Sequence, residues 1–286
     1  MTFAFIQDHR ERFPVRLACE TLEVSHSGYY AWQGRPVSPR ATRRAELAQK
    51  IREVHEQHRR VYGSPRVHRA LLERGERVCR NTVARLMKAL GIRPLTHRAF
   101  RVRTTDSDHA LPVASNLLDR RFQVRALNRI WLTDITYIRT DEGFLFLAGV
   151  MDLCSRRIVG WSMGEHLGAE LVCEALHMAL KARRPVPGLL HHSDRGVQYA
   201  CRQYQSLLRR SGITVSMSRT GDCYDNAPKE SFWGKLKTEL VYLNRFATRE
   251  QARAAVFDYI EVFYNRQRLH SSLGYVSPER FEAGLT

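Results

Sequence analysis

The chain has 286 residues, and a prior of about 150 residues per domain predicts two domains. Basic residues number 46 against 29 acidic ones, and the formal net charge of +17 predicts a polyanionic partner such as nucleic acid. No apolar run approaches the roughly 18 residues of a membrane span, and the first residues lack the pattern of a secretory signal. Six scattered cysteines without a CxxC pair indicate neither a disulfide scaffold nor a zinc site, so we expect reduced thiols in a cytoplasmic protein.

The N-terminal part of the chain is predicted to be helical. The pattern predicts short helices over residues 14–22 and from a cap at Ser27, and a longer amphipathic helix over residues 43–59. Residues 1–108 hold 22 basic and 11 acidic side chains, a denser positive charge than the 24 and 18 of residues 109–286. Such an excess is expected of a region that lies on phosphates.

A helix-turn-helix is predicted at about residues 62–91. Ser64 is a good N-cap for its first helix and Asn81 for its second. An ordinary pair of antiparallel helices fits the pattern as well, but a high density of arginine favours DNA binding. The arginines are Arg66, Arg69, Arg74, Arg77, Arg80 and Arg85. Residues 1–103 are therefore predicted to be the DNA-binding region, and residues 104–122 a linker.

The second domain, residues 123–286, is predicted to be α/β. Alternating and apolar runs predict three strands joined by tight turns, and after them strands and helices alternate. The predicted strands are 130–139, 144–152, 157–163, 188–192 and 213–217, and the predicted helices are 169–183, 203–210, 227–239 and 250–264. This order predicts a mixed five-stranded sheet with flanking helices.

Three carboxylates stand out in this domain. Asp134 lies in the middle of the first predicted strand, where an acid needs a partner or a metal. Asp194 ends the fourth strand, at the edge of the sheet where α/β proteins bind ligands, and Glu230 opens a helix. Taken singly, Asp194 also fits a turn residue, and Glu230 fits an acid favoured by the helix dipole. Three converging carboxylates can hold two Mg²⁺ ions about 3.5–4 Å apart, which suits phosphodiester chemistry.

The segments around these acids carry a family resemblance. They are 131–137, 192–199, 224–227, 230–232 and 236–237, with a tail over 264–275. They resemble the DDE transposases of bacterial insertion sequences, in particular OrfB, the second-reading-frame product of the IS3 family. The 35 residues between Asp194 and Glu230 match that family's spacing, and so does Lys237, seven positions after Glu230.

The resemblance implies an RNase H-like core shared with retroviral integrases, preceded by an all-α helix-turn-helix region. It implies that Asp134, Asp194 and Glu230 are the catalytic residues and the ligands of two Mg²⁺ ions, which Mn²⁺ can replace. Lys237 is expected to hold a phosphate near the cleaved end. Lys229 departs from the family's pattern and is expected to contact DNA. The full set of candidate DNA-binding residues is Lys237, Lys229, Arg66, Arg69, Arg80 and Arg85.

The function implied is transposition through cleavage at the element ends and strand transfer by transesterification, by a copy-out route with a circular intermediate. The implied partners are double-stranded DNA at inverted-repeat ends and target sites, an upstream-frame protein or a frameshifted fusion with it, and further copies of the chain on DNA. The expected location is the bacterial nucleoid, with no membrane association. Two alternatives stay open: a non-catalytic DNA-binding regulator of transposition, and an RNase H-fold nuclease that only hydrolyses.

Overall fold

The computed structural model describes residues 1–95, 112–119, 122–218 and 227–285, so residues 104–111, 120 and 121 of the predicted linker lie outside the described residues. The chain divides into two compact units, residues 1–53 and 54–286. Within the described ranges, no helix is both long and apolar enough to cross a membrane.

The first unit holds short helices and most of a longer one: α1 (Thr2–Asp8), α2 (Val15–Thr21), α3 (His26–Gln33) and α4 (Pro39–Gln57). The short helices bury Ile6, Cys19 and Tyr29 in a small apolar core. Ser25 caps α3, and its hydroxyl accepts a backbone N–H of the first turn at 3.2 Å. The prediction of Ser27 as the cap is therefore wrong by two residues.

Helix α4 begins four residues before its predicted start. Proline is tolerated in a first helical turn because its missing N–H would have no partner there, so Pro39 opens the helix. The helix ends at Gln57, and the positive φ angles of Arg59 and Arg60 show why it does not continue.

The second unit opens with the predicted helix pair, α5 (Ser64–Glu73) and α6 (Arg80–Ala89). The facing sides bury Val67 and Leu71 of α5 and Val83 and Met87 of α6. The N-caps are Gly63 and Cys79. The predicted caps Ser64 and Asn81 lie inside the helices, which begin one and two residues earlier than predicted.

A five-stranded mixed sheet forms the centre of this unit, as predicted. Its strands are β1 (Ile130–Thr140), β2 (Gly143–Asp152), β3 (Ile158–Gly164), β4 (Leu190–Ser193) and β5 (Thr214–Met217). The strand order is β3-β2-β1-β4-β5. The first three strands form an antiparallel meander, whereas β4 runs parallel to β1, and β5 runs parallel to β4.

Helices flank the sheet: α7 (Ala169–Arg183), α8 (Val197–Ala200), α9 (Arg202–Arg210), α10 (Ala227–Glu239), α11 (Arg249–Phe257) and α12 (Pro278–Ala283). The core between sheet and helices includes Trp131, Val150 and Leu176. At Gly160 a Cβ would lie 2.2 Å from the carbonyl oxygen of Ala175, so glycine lets α7 lie close on β3.

The helix predicted over residues 250–264 is present but changes type along its length. It is α-helical over Arg249–Phe257 and π-helical over Asp258–Tyr264. The wider π turn is a local irregularity that hydrophobic periodicity does not reveal.

Candidate active site

Asp134 and Asp194 lie side by side because of the sheet's register. Strand β4 pairs with β1 in parallel, and Leu132 pairs with His192. Continuing that register by two residues sets Asp194 beside Asp134, on the same face of the sheet. Asp194 directly follows the last residue of β4, at the carboxyl edge where α/β sheets bind ligands. The separation of 60 positions between the two acids is thus the register offset of the two strands.

The two carboxylates share one cavity of about 80 Å³. Asp134 Oδ1 accepts the backbone N–H of Ile135 at 2.8 Å, and its Oδ2 accepts the indole N–H of Trp233 at 3.0 Å. Asp194 Oδ1 accepts the backbone N–H of Gly196 at 2.9 Å. These bonds fix the direction in which each carboxylate points.

The electrostatic surroundings oppose a negative charge on Asp134. Dense protein around the carboxylate raises its pKa above the ordinary value, and the neighbouring charge of Asp194 raises it further. The bond from Trp233 and the nearby ammonium of Lys229 act in the opposite direction. Two carboxylates that repel each other in a cavity are a suitable pair of oxygen ligands for a divalent cation.

Lys229 is buried behind Asp134, with 0% of its surface exposed. Its Nζ lies 4.6 Å from the ring centroid of Trp233 and 5.1 Å from that of Phe232, and it forms no hydrogen bond with any described residue. Burial lowers the pKa of this lysine. Gly149 of β2, which pairs with Asp134 of β1, leaves space for the ammonium of Lys229. A Cβ at position 149 would lie 2.7 Å from Nζ.

This position of Lys229 differs from the predicted contact with DNA. A side chain without surface exposure presents no ammonium to a phosphate. The sequence prediction placed the residue in the first turn of α10 correctly, but it had no means of showing that this turn faces β2.

Glu230 occupies the first turn of α10 and is exposed. It does not line the cavity shared by Asp134 and Asp194. Within the described ranges, no three acidic, histidine or cysteine side chains lie close enough together to hold a metal ion. The structure therefore brings two of the three predicted carboxylates together and leaves the third on the adjoining helix.

Helix α10 nevertheless presents the face that carries Glu230 towards β1. Trp233, one turn after Glu230, bonds to Asp134. Lys237, two turns after Glu230, places its Nζ 4.7 Å from the ring centroid of Tyr137 on the same strand. Burial lowers the pKa of Lys237, and the charge of Asp134 partly offsets this effect. One face of α10 thus carries Glu230, Trp233 and Lys237 along β1.

The predicted DNA-binding arginines fall into two groups. Arg69, Arg80 and Arg85 are exposed on the helix pair α5–α6. Arg66 is half-buried, and its Nε donates to the carbonyl oxygen of Leu269 at 2.8 Å. Three of these side chains are thus open to a polyanion, whereas the fourth packs against the C-terminal segment of the same unit.

Sequence reasoning missed Trp233 as a site residue. The signal was available, since Trp233 follows Glu230 by three positions and so lies on its face of the helix. The partnership of Lys229 with Gly149 had no such signal, because the two residues are 80 positions apart and meet only through the fold.

Known family models and proteins resemble this chain over most of its length. Two family models described as integrase core domain match residues 125–223 and 230–284, and one described as HTH-like domain matches residues 42–100. The insertion element IS600 uncharacterized 31 kDa protein of Shigella sonnei is 47% identical over 263 residues, which cover 92% of this chain and 96% of that protein. The transposase InsF for insertion sequence IS3A of Escherichia coli (strain K12) is 41% identical over 284 residues, 99% of this chain and 98% of that protein.

A solved structure of a simian T-cell lymphotropic virus intasome, in complex with PP2A regulatory subunit B56 gamma, is also similar to part of the chain. The identity is 16% and the TM-score 0.47, over 74% of this chain and 69% of that one.

Proposed function

Because the chain belongs to the IS3 family of insertion-sequence transposases, we propose that Asp134, Asp194 and Glu230 are the acid set of its DNA-cleaving and strand-joining site. The chain is a DDE-type transposase, an enzyme that transfers polynucleotide strands. The observation that carries the assignment of residues is the cavity shared by Asp134 of β1 and Asp194, which directly follows the adjacent parallel strand β4.

The donors in this cavity fit a hard divalent cation. Both acids offer carboxylate oxygens, which Mg²⁺ prefers, and a bound cation would relieve the repulsion that raises the pKa of Asp134. We assign Asp134 and Asp194 as Mg²⁺ ligands, with Glu230 as the third ligand by its motif position, and expect Mn²⁺ to substitute. When bound, two such ions supply charge stabilisation for both the attacking and the leaving oxygen of a phosphodiester.

The reaction consists of two displacements at phosphorus. Water attacks the phosphodiester at the element end, one P–O bond forms as another breaks, and a 3′-hydroxyl is released. That hydroxyl then attacks a second phosphodiester in line, so the number of P–O bonds stays constant and no external energy source is needed. Trp233 holds the Asp134 carboxylate in a fixed orientation throughout. Lys237 neutralises a phosphate beside the acids without ligating a metal.

DNA is the substrate and the partner, in keeping with the HTH-like and integrase core matches. We propose that residues 1–103 form the DNA-binding region and 123–286 the catalytic core, with 104–122 as the linker between them. We further propose that several copies of the chain assemble on inverted-repeat ends, and that an upstream-frame protein or a fusion with it takes part.

A denaturing gel separates the proposed function from its alternatives. The full chain is incubated with end-labelled inverted-repeat DNA and Mg²⁺, with D134N as the matched control. Products longer than the input strand, absent with D134N, are expected of a transposase. Only shorter products would indicate a nuclease, and uncut DNA that the chain retards on a parallel native gel would indicate a regulator.

A further inference from the structure

A second group of basic side chains lies on the other side of α10, away from Asp134. It comprises Arg66 of α5, Arg156 after β2, Lys235 of α10, and Arg268 and His270 of the C-terminal segment, and it is called the cationic cluster here. Along α10, Ser231, Lys235 and Glu239 follow one another at intervals of four residues. They form a face distinct from that of Glu230, Trp233 and Lys237.

Specific contacts hold the cationic cluster together. Tyr62, two residues before α5, accepts the backbone N–H of Leu269 at 2.7 Å, and Arg66 donates to the carbonyl oxygen of the same residue at 2.8 Å. These bonds fix α5 to the segment that carries Arg268 and His270. Burial and the nearby charge of Arg268 lower the pKa of Lys235 to about 8. Burial, Arg268 and Lys235 together lower the pKa of His270.

Glu239, on the same face of α10 as Lys235, is paired with Arg268. Glu239 Oε2 accepts from Arg268 Nε at 2.8 Å and from the hydroxyl of Tyr259 at 2.9 Å, and Oε1 accepts from Arg268 Nη2. Both members of this ion pair are almost fully buried, with 2% and 5% of their side chains exposed. The charges of Arg268 and Glu239 therefore neutralise each other.

Three positive charges remain after this cancellation. Among the described residues, Arg66, Arg156 and Lys235 form no ion pair with a carboxylate within 4.0 Å. Asp152, the carboxylate that acts on Arg156, already accepts the backbone N–H groups of Asn128, Cys154 and Ser155. The carboxylates near these half-buried cations, Glu239 and Asp152, are thus already bonded to other groups in the described part of the chain.

Two buried polar nitrogens of the cationic cluster also lack partners. Arg268 Nη1 and His270 Nε2 form no hydrogen bond with any described residue, and the two side chains are 1% and 4% exposed. Buried polar atoms are nearly always hydrogen-bonded, since an unpaired one costs about 1–3 kcal/mol. Their presence behind three uncompensated cations indicates a site that accepts an anion.

The cationic cluster is open to solvent at its α10 side. Lys235 is half-buried, and its Nζ donates at 2.7 Å to the hydroxyl of Ser231, which is exposed. An anion can therefore reach Lys235 from solvent without passing the cavity of Asp134.

We propose that the cationic cluster binds a phosphodiester of the DNA backbone. Lys235 and Ser231 lie on the side of the cluster that is open to solvent. This inference rests on the proposed function, because DNA is the polyanion on which a transposase acts. A phosphate supplies the missing counter-charge and several acceptor oxygens. Helix α10 then contacts DNA through two faces: one beside the catalytic acids, the other at a phosphate that does not react.

Acetylation of the full chain tests the contact directly. The chain is treated with acetic anhydride with and without duplex DNA, and acetylation at each of its six lysines is read by fragment-ion mass spectrometry. DNA should lower the acetylation of Lys235 several-fold and leave exposed Lys181 of α7 unchanged. Equal acetylation of Lys235 with and without DNA, or equal protection of both lysines, would overturn the inference. So would equal protection of Lys235 by inorganic phosphate at matched ionic strength, because the site would then not be specific for DNA.

A matched set of variants separates this inference from the proposed function. K235Q should reduce the slope of log binding constant against log salt by about 0.9, the value expected for one lost phosphate contact. K235R should retain the wild-type slope, and K181Q, a control of equal charge change, should retain it too. A wild-type slope in K235Q would overturn the inference alone. A wild-type chain that neither binds nor joins DNA would instead overturn the proposed function.

Discussion

The helix pair α5–α6 and the helix α10 both carry positive side chains, but in opposite surroundings. Arg69, Arg80 and Arg85 are exposed to water, where salt screens their charges. On α10, Lys229 is fully buried and Lys237 is half-buried, so that each charge acts on Asp134 through protein. The comparison separates the exposed charges of α5–α6, which we propose contribute to DNA affinity, from the charges of Lys229 and Lys237, which act on Asp134.

The largest loss of strand joining should come from substituting the three acids. D134N, D194N and E230Q each keep the shape of the side chain but remove the charge that holds a metal. We expect each to reduce strand joining by roughly 100-fold or more, since a catalytic metal contributes several kcal/mol to the transition state. DNA binding, measured by filter retention, should stay near wild type. Near-normal joining by any one variant would remove that residue from the acid set.

The second-largest loss of strand joining should come from removing the indole N–H that orients Asp134. W233F removes the donor to Asp134 Oδ2 and keeps an aromatic ring. We expect joining to fall roughly 10–100-fold and the Mg²⁺ concentration for half-maximal activity to rise, as for other groups that orient a metal ligand.

W161F is the matched control for this prediction. Trp161 also donates its indole N–H to a carboxylate, Glu261, at 2.7 Å, but it lies on β3 away from the cavity. Similar Mg²⁺ requirements in both variants would mean that Trp233 has only a packing role.

A smaller effect is expected at Lys237. K237A should slow the joining of pre-cleaved ends roughly 10-fold, since a hydrogen bond to a charged group contributes about 1.5–3 kcal/mol. K237R should restore part of the rate because the charge is kept. Metal binding should be unchanged in both variants. A K237A enzyme that joins ends as fast as wild type would show that the lysine only packs on Tyr137.

The smallest effects should come from the exposed arginines of α5–α6. R69Q, R80Q and R85Q should each weaken DNA binding modestly and reduce the salt slope by about 0.9. R209Q, at an exposed arginine of α9, is the control and should leave the slope unchanged. If all four variants gave the same slope as wild type, the arginines would be a solvated surface and α5–α6 an ordinary helix pair.

The sequence predicted those features of the fold that local patterns determine. Alternation between apolar and polar residues, with tight turns, located β1, β2 and β3, and helical spacing located α7 and α10. The sequence also predicted that Asp134 and Asp194 converge at one edge of the sheet, and the register of the parallel strands β1 and β4 brings them together.

What sequence could not predict depends on contacts between distant segments. The burial of Lys229 requires the glycine at position 149, and the half-burial of Arg66 requires the carbonyl of Leu269, some 200 positions away. The caps at Gly63 and Cys79 lack a side-chain bond, so no capping residue marks them in the sequence. The π-helical turn at Asp258–Tyr264 similarly leaves no periodic signal.

The central claim is that Asp134 and Asp194 hold a divalent cation between them. Binding of Mn²⁺ to the full chain, followed by electron paramagnetic resonance, tests this claim without relying on activity. We predict that wild type and K181Q bind Mn²⁺ with the same affinity, and that D134N and D194N each lose roughly 10-fold or more of it, as expected when one charged ligand is removed. Undiminished Mn²⁺ binding in both aspartate variants would contradict the account.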